Sequence, residues 1–261
     1  MEYQYIKYQN IDGVASIIIN RPEVYGALNR DAKLEIIKAF KACNKDDSVK
    51  AIVLTSEGKA FCSGQDLNDR TVDGSSGPVD LGHTLETEWN PLVESIRKSE
   101  KIVIGAINGV CAGAGLSVAL SCDLIVAKPK VKFVSGFSQL GLAPDAGSSY
   151  TFVKALGRQK TLEFFLFNMP MLAEELCEKG LINHVDENPF EYATQMAKKI
   201  SLMAPLSLSM IKKNIQSASE ETFQDVMDKE TKTQRFLGNS EDYQEGLRAF
   251  FDKRAPNFLG K

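Results

Sequence analysis

The first half of the chain alternates short apolar runs with segments in which apolar residues recur every three to four positions. Short apolar runs predict buried strands, and a period near 3.6 residues predicts helices. The predicted strands are 5–8, 14–19, 51–55, 102–107, 123–127 and 131–134, the first two joined by a turn at Asp12-Gly13. The first predicted helix covers residues 30–43, with Asn29 as its N-cap. Strands that alternate with helices predict an α/β fold with a mainly parallel sheet.

The second half of the chain, from about Ala143, has the period of amphipathic helices. The helices predicted there are 151–156, 160–166, 173–179, 190–203, 205–217, 220–236 and 241–253. We therefore expect an α/β core over residues 1–200 and a C-terminal helical region over residues 201–261 that packs elsewhere, on a neighbouring subunit. The stretch 68–82, rich in glycine and serine, is typical of a mobile surface loop.

Residues 102–122 carry no charged side chain and are long enough to span a bilayer. Their glycines at GxxxG spacing are also typical of packed transmembrane helices. However, Asn108-Gly109 is a turn signal that divides the stretch, and its glycines and serines keep its hydrophobicity low. We therefore expect a buried strand over 102–107 and a short helix over 113–121, with no membrane partner.

Composition and charge exclude several classes of protein. The 261 residues hold 31 Lys and Arg against 34 Asp and Glu, a net charge of −3, so we expect no nucleic-acid partner. Five cysteines without CxxC spacing are typical of buried free thiols in a reducing compartment. The sequence opens without a secretory pattern, and Leu259-Gly-Lys261 is not a peroxisomal ending, so we expect a cytoplasmic protein.

The common catalytic and metal-binding motifs are missing from the sequence, which holds no HExxH, CxxC or P-loop pattern. No GxSxG elbow accompanies the two histidines, His83 and His184, so a Ser-His-Asp triad is not indicated. We expect both histidines to be surface or structural residues. The sequence therefore predicts no metal site.

Three segments rich in small residues remain as candidates for a site. Ser63-Gly64 permits an unusual turn that directs the amide N–H of Gln65 into a cavity, although a tight connection between elements explains the same residues. The segment 108–115 opens a helix whose first N–H groups suit an oxygen anion, although close helix–strand packing also calls for small residues. Asp145 precedes an apolar helix and is either a functional carboxylate or the N-cap of that helix.

Taken together, these segments resemble the crotonase superfamily, also called the enoyl-CoA hydratase/isomerase family, from about Ile6 to Phe258. The motifs that carry the resemblance are Asn20-Arg-Pro, Ala27-Leu-Asn29, Phe61-Cys-Ser-Gly-Gln-Asp-Leu67, Ile107-Asn-Gly109 through Cys122-Asp123, and Gly246-Leu-Arg-Ala-Phe-Phe-Asp-Lys-Arg254. The resemblance implies an α/β crotonase (ClpP-like) fold of ββα superhelical turns, with a C-terminal helical region that assembles a homotrimer or a hexamer (a dimer of trimers). It implies no cofactor, because coenzyme A is part of the acyl-CoA thioester substrate.

The same resemblance implies the site residues. The backbone N–H groups of Gln65 and Ala114 are expected to form an oxyanion hole for the thioester carbonyl. The substrate-binding residues expected beside them are Ser63, Asp66, Leu67, Gly113, Ser117, Phe137 and, from a neighbouring subunit, Lys253. A basic helix end that complements the helix dipole explains Lys253 equally well. The loop 68–82 and the region around Trp89 are expected to shape the acyl pocket.

The chain departs from the hydratases at their two catalytic glutamates, whose positions are occupied here by Ser117 and Phe137. Neither residue can act as a carboxylate base, so we expect hydration to be inefficient. Asp145 stands where hydratases often have glycine, and in this the chain is similar to the 1,2-epoxyphenylacetyl-CoA isomerase and Δ3,Δ2-enoyl-CoA isomerase subgroups. We therefore predict an acyl-CoA isomerase in which a partly buried Asp145 transfers a proton while the oxyanion hole holds the enolate.

Three alternatives to an isomerase stay open at this point. The 4-chlorobenzoyl-CoA dehalogenases resemble the chain at Asp145, which would then act as a nucleophile in dehalogenation or hydrolysis, but they carry tryptophan in place of Phe137. The second alternative is a hydratase-like activity, and the third is a domain that binds CoA esters without turnover. The sequence does not distinguish a double-bond shift from epoxide or ring isomerisation, and it does not identify the acyl group.

Overall fold

The computed structural model describes residues 2–69 and 80–261. Its strands are β1 (Ile6–Ile11), β2 (Val14–Ile19), β3 (Ala51–Ser56), β4 (Ala60–Cys62), β5 (Ile102–Ile107), β6 (Val110–Ala112), β7 (Leu124–Ala127), β8 (Lys132–Val134), β9 (Met171–Leu172) and β10 (His184–Val185). Its helices are α1 (Arg30–Lys45), α2 (Leu81–Thr84), α3 (Asn90–Arg97), α4 (Ala114–Leu120), α5 (Ser148–Phe167), α6 (Ala173–Glu178), α7 (Pro189–Ser201), α8 (Pro205–Ala218), α9 (Phe223–Leu237) and α10 (Glu241–Asp252). A π-helical turn, Leu85–Trp89, joins α2 to α3.

The strands form two sheets. The larger sheet has the order β1-β2-β3-β5-β7-β10, and the smaller sheet has the order β4-β6-β8-β9. In the larger sheet β1 and β2 form an antiparallel hairpin, and each later pair of neighbours is parallel. Every residue of β3 and β5 is buried, as expected for parallel strands covered on both faces. The predicted mainly parallel sheet is confirmed.

Successive stretches of chain contribute one strand to each sheet. β3 in the larger sheet is followed by β4 in the smaller one, β5 is followed by β6, and β7 is followed by β8. Helical segments return the chain from the smaller sheet to the larger one, and α7 to α10 complete the chain. The predicted α/β fold of ββα turns with a C-terminal helical region is confirmed.

Local signals placed most of the larger elements correctly. Asn29 caps α1, since its Oδ1 accepts the Ala32 N–H at 2.9 Å. The helices predicted at 151–156 and 160–166 form one element, α5, which is interrupted at Gly157, where φ is 74°. The short strands β4, β6 and β9 were missed, because two or three residues carry little pattern; β8, also three residues long, lies within the predicted strand 131–134.

The uncharged stretch 102–122 folds as predicted into a buried strand, a turn and a short helix, with β6 between the turn and α4. Within the described ranges 2–69 and 80–261, no helix combines the length and the apolarity needed to cross a bilayer. The predicted surface loop 68–82 is described at its two ends only, and its residues 70–79 lie outside the described residues.

All five cysteines are free thiols, as predicted, and four of them are buried. Cys177 is half-buried and therefore differs from the prediction. Burial raises the pKa of the Cys62 thiol to about 12. That thiol is consequently protonated at neutral pH and serves as a small apolar core residue.

The C-terminal helices differ in how they are anchored. Lys212 on α8 is buried, and its Nζ lies 2.8 Å from Oδ2 of Asp123, which also accepts the Val103 N–H. This ion pair ties α8 to the start of the core strands β5 and β7. By contrast, Phe223 at the start of α9 is 81% exposed, and Phe250 and Phe251 on α10 are 77% and 75% exposed.

Candidate active site

The three segments that the sequence singled out all contain or follow strands of the smaller sheet. β4, β6 and β8 are neighbouring parallel strands: β4 lies within the segment 60–67, β6 lies within 108–115, and β8 precedes 140–149. Because the carboxyl ends of parallel strands lie at one edge of a sheet, this topology brings the three segments together. The Gly113 N–H donates to the Val134 carbonyl oxygen at 3.1 Å, which joins the second segment to the end of β8.

The first segment turns so that the Gln65 amide is directed away from Leu28, its bridge partner. Gly64 has a φ of 96°, a conformation that favours glycine. Leu28 forms a parallel bridge with Gln65, in which the Leu28 N–H donates to the Gly64 oxygen and the Asp66 N–H donates to the Leu28 oxygen. In such a bridge the N–H of the central residue points to the opposite side. Among the described residues, no acceptor takes the Gln65 N–H.

The second segment packs directly on the first. A Cβ atom on Gly115 would lie 2.2 Å from the Cys62 carbonyl oxygen, so only glycine permits this approach of α4 to β4. A Cβ atom on Gly64 would lie 3.3 Å from the Ala114 nitrogen, which places that amide beside the first segment. Ala114 is the first residue of α4, and its N–H finds no acceptor within the described part of the chain. Close packing and a free amide therefore coexist in this segment.

A buried ion pair anchors the first segment from one side. Arg21 Nη2 lies 2.8 Å from Asp66 Oδ2, and Arg21 Nη1 donates to the Ala27 oxygen at 2.6 Å. Burial alone would raise the pKa of the Asp66 carboxyl, but the Asn68 N–H and the Arg21 guanidinium outweigh it and hold that pKa below its usual value. Asp66 is therefore a charged anchor of the loop.

A second buried charge anchors the same segment through the side chain of Gln65. Lys33 on α1 is fully buried, and its Nζ lies 2.9 Å from Gln65 Oε1 and 2.5 Å from Glu88 Oε2. The indole N–H of Trp89 donates to the same Gln65 oxygen at 3.0 Å. Gln65 Nε2 donates in turn to the Asp66 carbonyl oxygen at 3.1 Å. The side chain of Gln65 is thus hydrogen-bonded at both ends of its amide.

The third segment holds Asp145 by its main chain and leaves its carboxylate unengaged. Its carbonyl oxygen accepts the Ser117 Oγ–H at 3.0 Å, together with the N–H and Oγ–H of Ser148, both at 2.9 Å. Gly147 is the N-cap of α5, and no side chain caps that helix, so the N-cap interpretation of Asp145 is wrong. Asp145 Oδ1 is buried, and within residues 2–69 and 80–261 it has no hydrogen-bond partner.

Burial raises the pKa of the Asp145 carboxyl to about 6. Within residues 2–69 and 80–261, desolvation is the one cause of this shift, and no cation or hydrogen-bond donor there favours the charged form. A carboxyl with a pKa near neutrality can both accept and return a proton at physiological pH.

The remaining predicted substrate-binding residues fall into different environments. Ser117 is 2% exposed, and its hydroxyl donates a hydrogen bond to the Asp145 carbonyl oxygen. Phe137 is 5% exposed and packs beside Phe165. Ser63 and Leu67 are exposed on either side of Gln65, and Gly113 is the N-cap of α4. Lys253 ends α10 with a φ of 54°. Their contacts with a substrate stay predictions.

Sequence reasoning missed the structural role of Arg21 and the participation of Lys33 and Glu88. A signal for Lys33 existed, because it shares the buried face of α1 with Ile36, Ile37 and Phe40, where a lysine is out of place. His83 and His184 are both exposed, in α2 and β10. In the described part of the chain, no three His, Cys, Asp or Glu side chains cluster as metal ligands would.

Known proteins of similar sequence and structure agree on a family and differ in their reactions. A family model described as enoyl-CoA hydratase/isomerase matches residues 9–261. The 1,2-epoxyphenylacetyl-CoA isomerase of Escherichia coli (strain K12) is 39% identical over 95% of this chain and 96% of that protein. The 4-chlorobenzoyl coenzyme A dehalogenase-2 of Arthrobacter sp. is 31% identical over 87% of this chain and 83% of that protein. The crystal structure of an enoyl-CoA hydratase from Polaromonas sp. JS666 has a TM-score of 0.91 at 30% identity, and the match covers 97% of this chain and 99% of that one.

Proposed function

The chain belongs to the enoyl-CoA hydratase/isomerase family, and we propose that it is an acyl-CoA isomerase in which Asp145 moves a proton on the bound acyl group. The observation that carries this proposal is the Asp145 carboxyl, whose Oδ1 is buried without a partner among the described residues and whose pKa is about 6. A carboxylate that served as a cap or an ion-pair partner would be engaged by other groups. This one is free to react.

The proposed reaction begins with the thioester carbonyl between the N–H groups of Gln65 and Ala114. The Asp145 carboxylate removes a proton from a carbon next to the carbonyl or conjugated with it, so a C–H bond breaks and a carboxyl O–H bond forms. The negative charge moves to the thioester oxygen, which the two fixed amides stabilise, each donor being worth about 10²–10³ in kcat in comparable sites. The carboxyl then returns the proton to a different carbon, which regenerates the carboxylate and completes the shift.

The identities of Ser117 and Phe137 support an isomerase over a hydratase. Addition of water needs a group that activates it, and neither a buried phenylalanine nor a serine hydroxyl donating to the Asp145 oxygen can do so. The relative named 1,2-epoxyphenylacetyl-CoA isomerase makes an aryl epoxide one candidate substrate. Turnover of 3-enoyl, 2,5-dienoyl and aryl-epoxide CoA esters, assayed side by side, distinguishes a double-bond shift from ring isomerisation.

The variant Asp145→Asn tests the proton-transfer step, because it keeps the shape of the side chain and removes the base. We expect exchange of acyl protons with deuterated water, followed by NMR, to fall by about 10²–10⁴, while the CoA ester still binds. Asp228→Asn, which changes an exposed carboxylate on α9, is the matched control and should exchange at the normal rate. Exchange that survives in Asp145→Asn would show that another group is the base.

Incubation in heavy-oxygen water separates the proton shuttle from a nucleophilic Asp145. A covalent acyl or aryl intermediate on the carboxylate would leave heavy oxygen in Asp145 after a single turnover, whereas a proton shuttle would leave none. A protein that only binds CoA esters would retain them and exchange no protons.

We further propose that the helical region 201–261 joins the subunits of a homotrimer or hexamer, with Lys253 reaching the coenzyme A of a neighbouring chain. The exposed aromatic side chains of α9 and α10 support this proposal, because apolar surface of this kind marks interfaces. Sedimentation equilibrium should give a mass of three or six chains of 28.8 kDa. A monomer would contradict it.

A further inference from the structure

Lys33 is a buried cation beside the proposed oxyanion hole. Its side chain is fully buried, and lysine is almost never found so deeply buried unless it is paired. Its Nζ approaches Glu88 Oε2 at 2.5 Å and Gln65 Oε1 at 2.9 Å, and it lies 4.7 Å from the centre of the Trp89 ring. Three separate parts of the chain, α1, the π-helical turn and the loop after β4, therefore meet at this ammonium group.

The side chain of Gln65 carries the effect of Lys33 to the backbone. Its Oε1 accepts from both Lys33 Nζ and Trp89 Nε1, and its Nε2 donates to the Asp66 carbonyl oxygen. An amide bonded at both ends cannot change rotamer without breaking these bonds. The same residue supplies the N–H that is proposed to hold the thioester oxygen.

Stability alone does not account for a lysine at this position. Taking an ammonium group out of water is costly, and apolar replacements of buried ion pairs are often neutral or stabilising. The neighbours of Lys33 on the buried face of α1 are apolar, so a leucine or methionine would continue that face. The benefit of Lys33 therefore lies in the geometry that it imposes on its neighbours.

We propose that Lys33 is a positioning residue for the oxyanion hole: together with Trp89 it fixes the Gln65 side chain, and through it the direction of the Gln65 N–H. Leu28, which lies just before the N-cap of the same helix, fixes the backbone on both sides of Gln65. The first turn of α1 and the residues that lead into it thus hold Gln65 by side chain and main chain at once. This inference rests on the proposed function of the Gln65 amide.

The test compares Lys33→Met, which keeps the length of the side chain and removes its donors, with Lys41→Met, an exposed change on the same helix. The probe is butyryl-CoA labelled with carbon-13 at the thioester carbonyl. Its infrared C=O stretch moves to lower frequency when the hole polarises the bond. In Lys33→Met we expect the stretch to return towards its value in water and kcat for proton exchange to fall by about 10- to 100-fold, with KM little changed, because a misdirected donor is weakened but not lost. Lys41→Met should match the wild type in all three quantities.

A double variant shows whether Lys33 acts through Gln65. In the Gln65→Met background the side-chain acceptor is gone, so adding Lys33→Met should cause no further change in the carbonyl stretch. An additive effect, or a folded Lys33→Met with a wild-type stretch and kcat, would overturn the proposal. If Lys33→Met does not fold, Trp89→Phe removes the second donor while keeping an aromatic ring, and a wild-type stretch in that variant would overturn it equally.

The outcome is separable from that of the proposed function. Loss of carbonyl polarisation in Lys33→Met stands whether or not Asp145→Asn abolishes exchange, because the infrared measurement requires binding and no turnover. Conversely, Asp145→Asn can abolish exchange while Lys33→Met leaves the carbonyl unchanged, which would remove Lys33 from the site and keep the isomerase.

Discussion

The loop that carries Gln65 and the segment that carries Asp145 lie at the same edge of the smaller sheet and are built in opposite ways. In the first, the side chains are engaged by neighbours: Asp66 forms an ion pair with Arg21, and the Gln65 side chain accepts hydrogen bonds from Lys33 and Trp89. The second bonds its main chain to Ser117 and Ser148 and leaves Asp145 Oδ1 without a partner among the described residues.

The difference matches two different demands of the proposed chemistry. An oxyanion hole works when its donors are already in place, so each bond that fixes them is useful. A proton shuttle works when its carboxyl is poised between two protonation states, so each bond or charge that favoured the carboxylate would make it a weaker base. Rigidity on one side and an unpaired carboxyl on the other are therefore complementary.

The strongest way to break this comparison is to remove an anchor of the Gln65 loop. Arg21→Met leaves the buried Asp66 carboxylate without its cation, and we expect the free energy of unfolding to fall by about 3–5 kcal/mol, as measured by denaturant titration. Proton exchange should fall with it. Lys7→Met opens the exposed Lys7–Glu57 pair and should cost about 0–1 kcal/mol. Equal losses of unfolding free energy in the two variants would mean that the buried ion pair contributes no more to stability than the exposed one.

On the other side of the comparison, removing the charge of Asp145 should stabilise the protein. The carboxyl ionises near pH 4 when unfolded and near pH 6 when folded, so the folded state binds more protons in that window and stability falls as the pH rises through it. Asp145→Asn removes this cost, and we expect a gain of about 1–3 kcal/mol at about pH 8 that disappears by about pH 4. Thermal unfolding at both pH values measures the difference. A loss of stability at the higher pH would mean that the carboxylate has a partner.

The smallest expected effect sharpens the comparison within the Asp145 segment. Ser117→Ala removes one of three hydrogen bonds to the Asp145 carbonyl oxygen, and Ser148 keeps the other two. We expect a loss of about 0.5–1.5 kcal/mol in the free energy of unfolding and a modest loss of exchange rate. Ser201→Ala, which removes a hydroxyl bond to the Lys198 oxygen near the surface of α7, is the control for stability and should leave exchange intact. A loss of exchange as large as that of Asp145→Asn would give Ser117 a direct role.

Much of the fold was predictable because its signals are local. The Asn29 cap, the alternation of buried strands with helices and the turn at Asn108-Gly109 each depend on a few adjacent residues, and the structure confirms them. The candidate segments at Gln65, Ala114 and Asp145 were also identified, through glycines and a carboxylate in strand-to-helix connections. The apolar runs that located β3 and β5 could not reveal the three-residue strands β4 and β6 that follow them.

The supporting residues of the site were not predictable in the same way. Arg21 meets Asp66 across 45 positions of sequence, and Lys33 meets Glu88 across 55. These contacts exist only because the ββα turns stack, and no local pattern encodes the distance between turns. The unengaged state of Asp145 is likewise a property of its three-dimensional surroundings, so a cap and a base had the same sequence signature.

The approach of Gly115 to the Cys62 carbonyl has a consequence for how this protein can be redesigned. Since a single methyl group there would push α4 away from β4 and separate the Gln65 and Ala114 amides, the proposed oxyanion hole leaves no room for a side chain at position 115. A design for a new reaction should instead exchange side chains in the turn that bears Asp145. There the main chain is fixed by hydrogen bonds, and Asp145 Oδ1, as far as the described residues go, is not. In a directed-evolution library, the residues that pack α4 against β4 should therefore be kept constant, and those of the Asp145 turn should be varied.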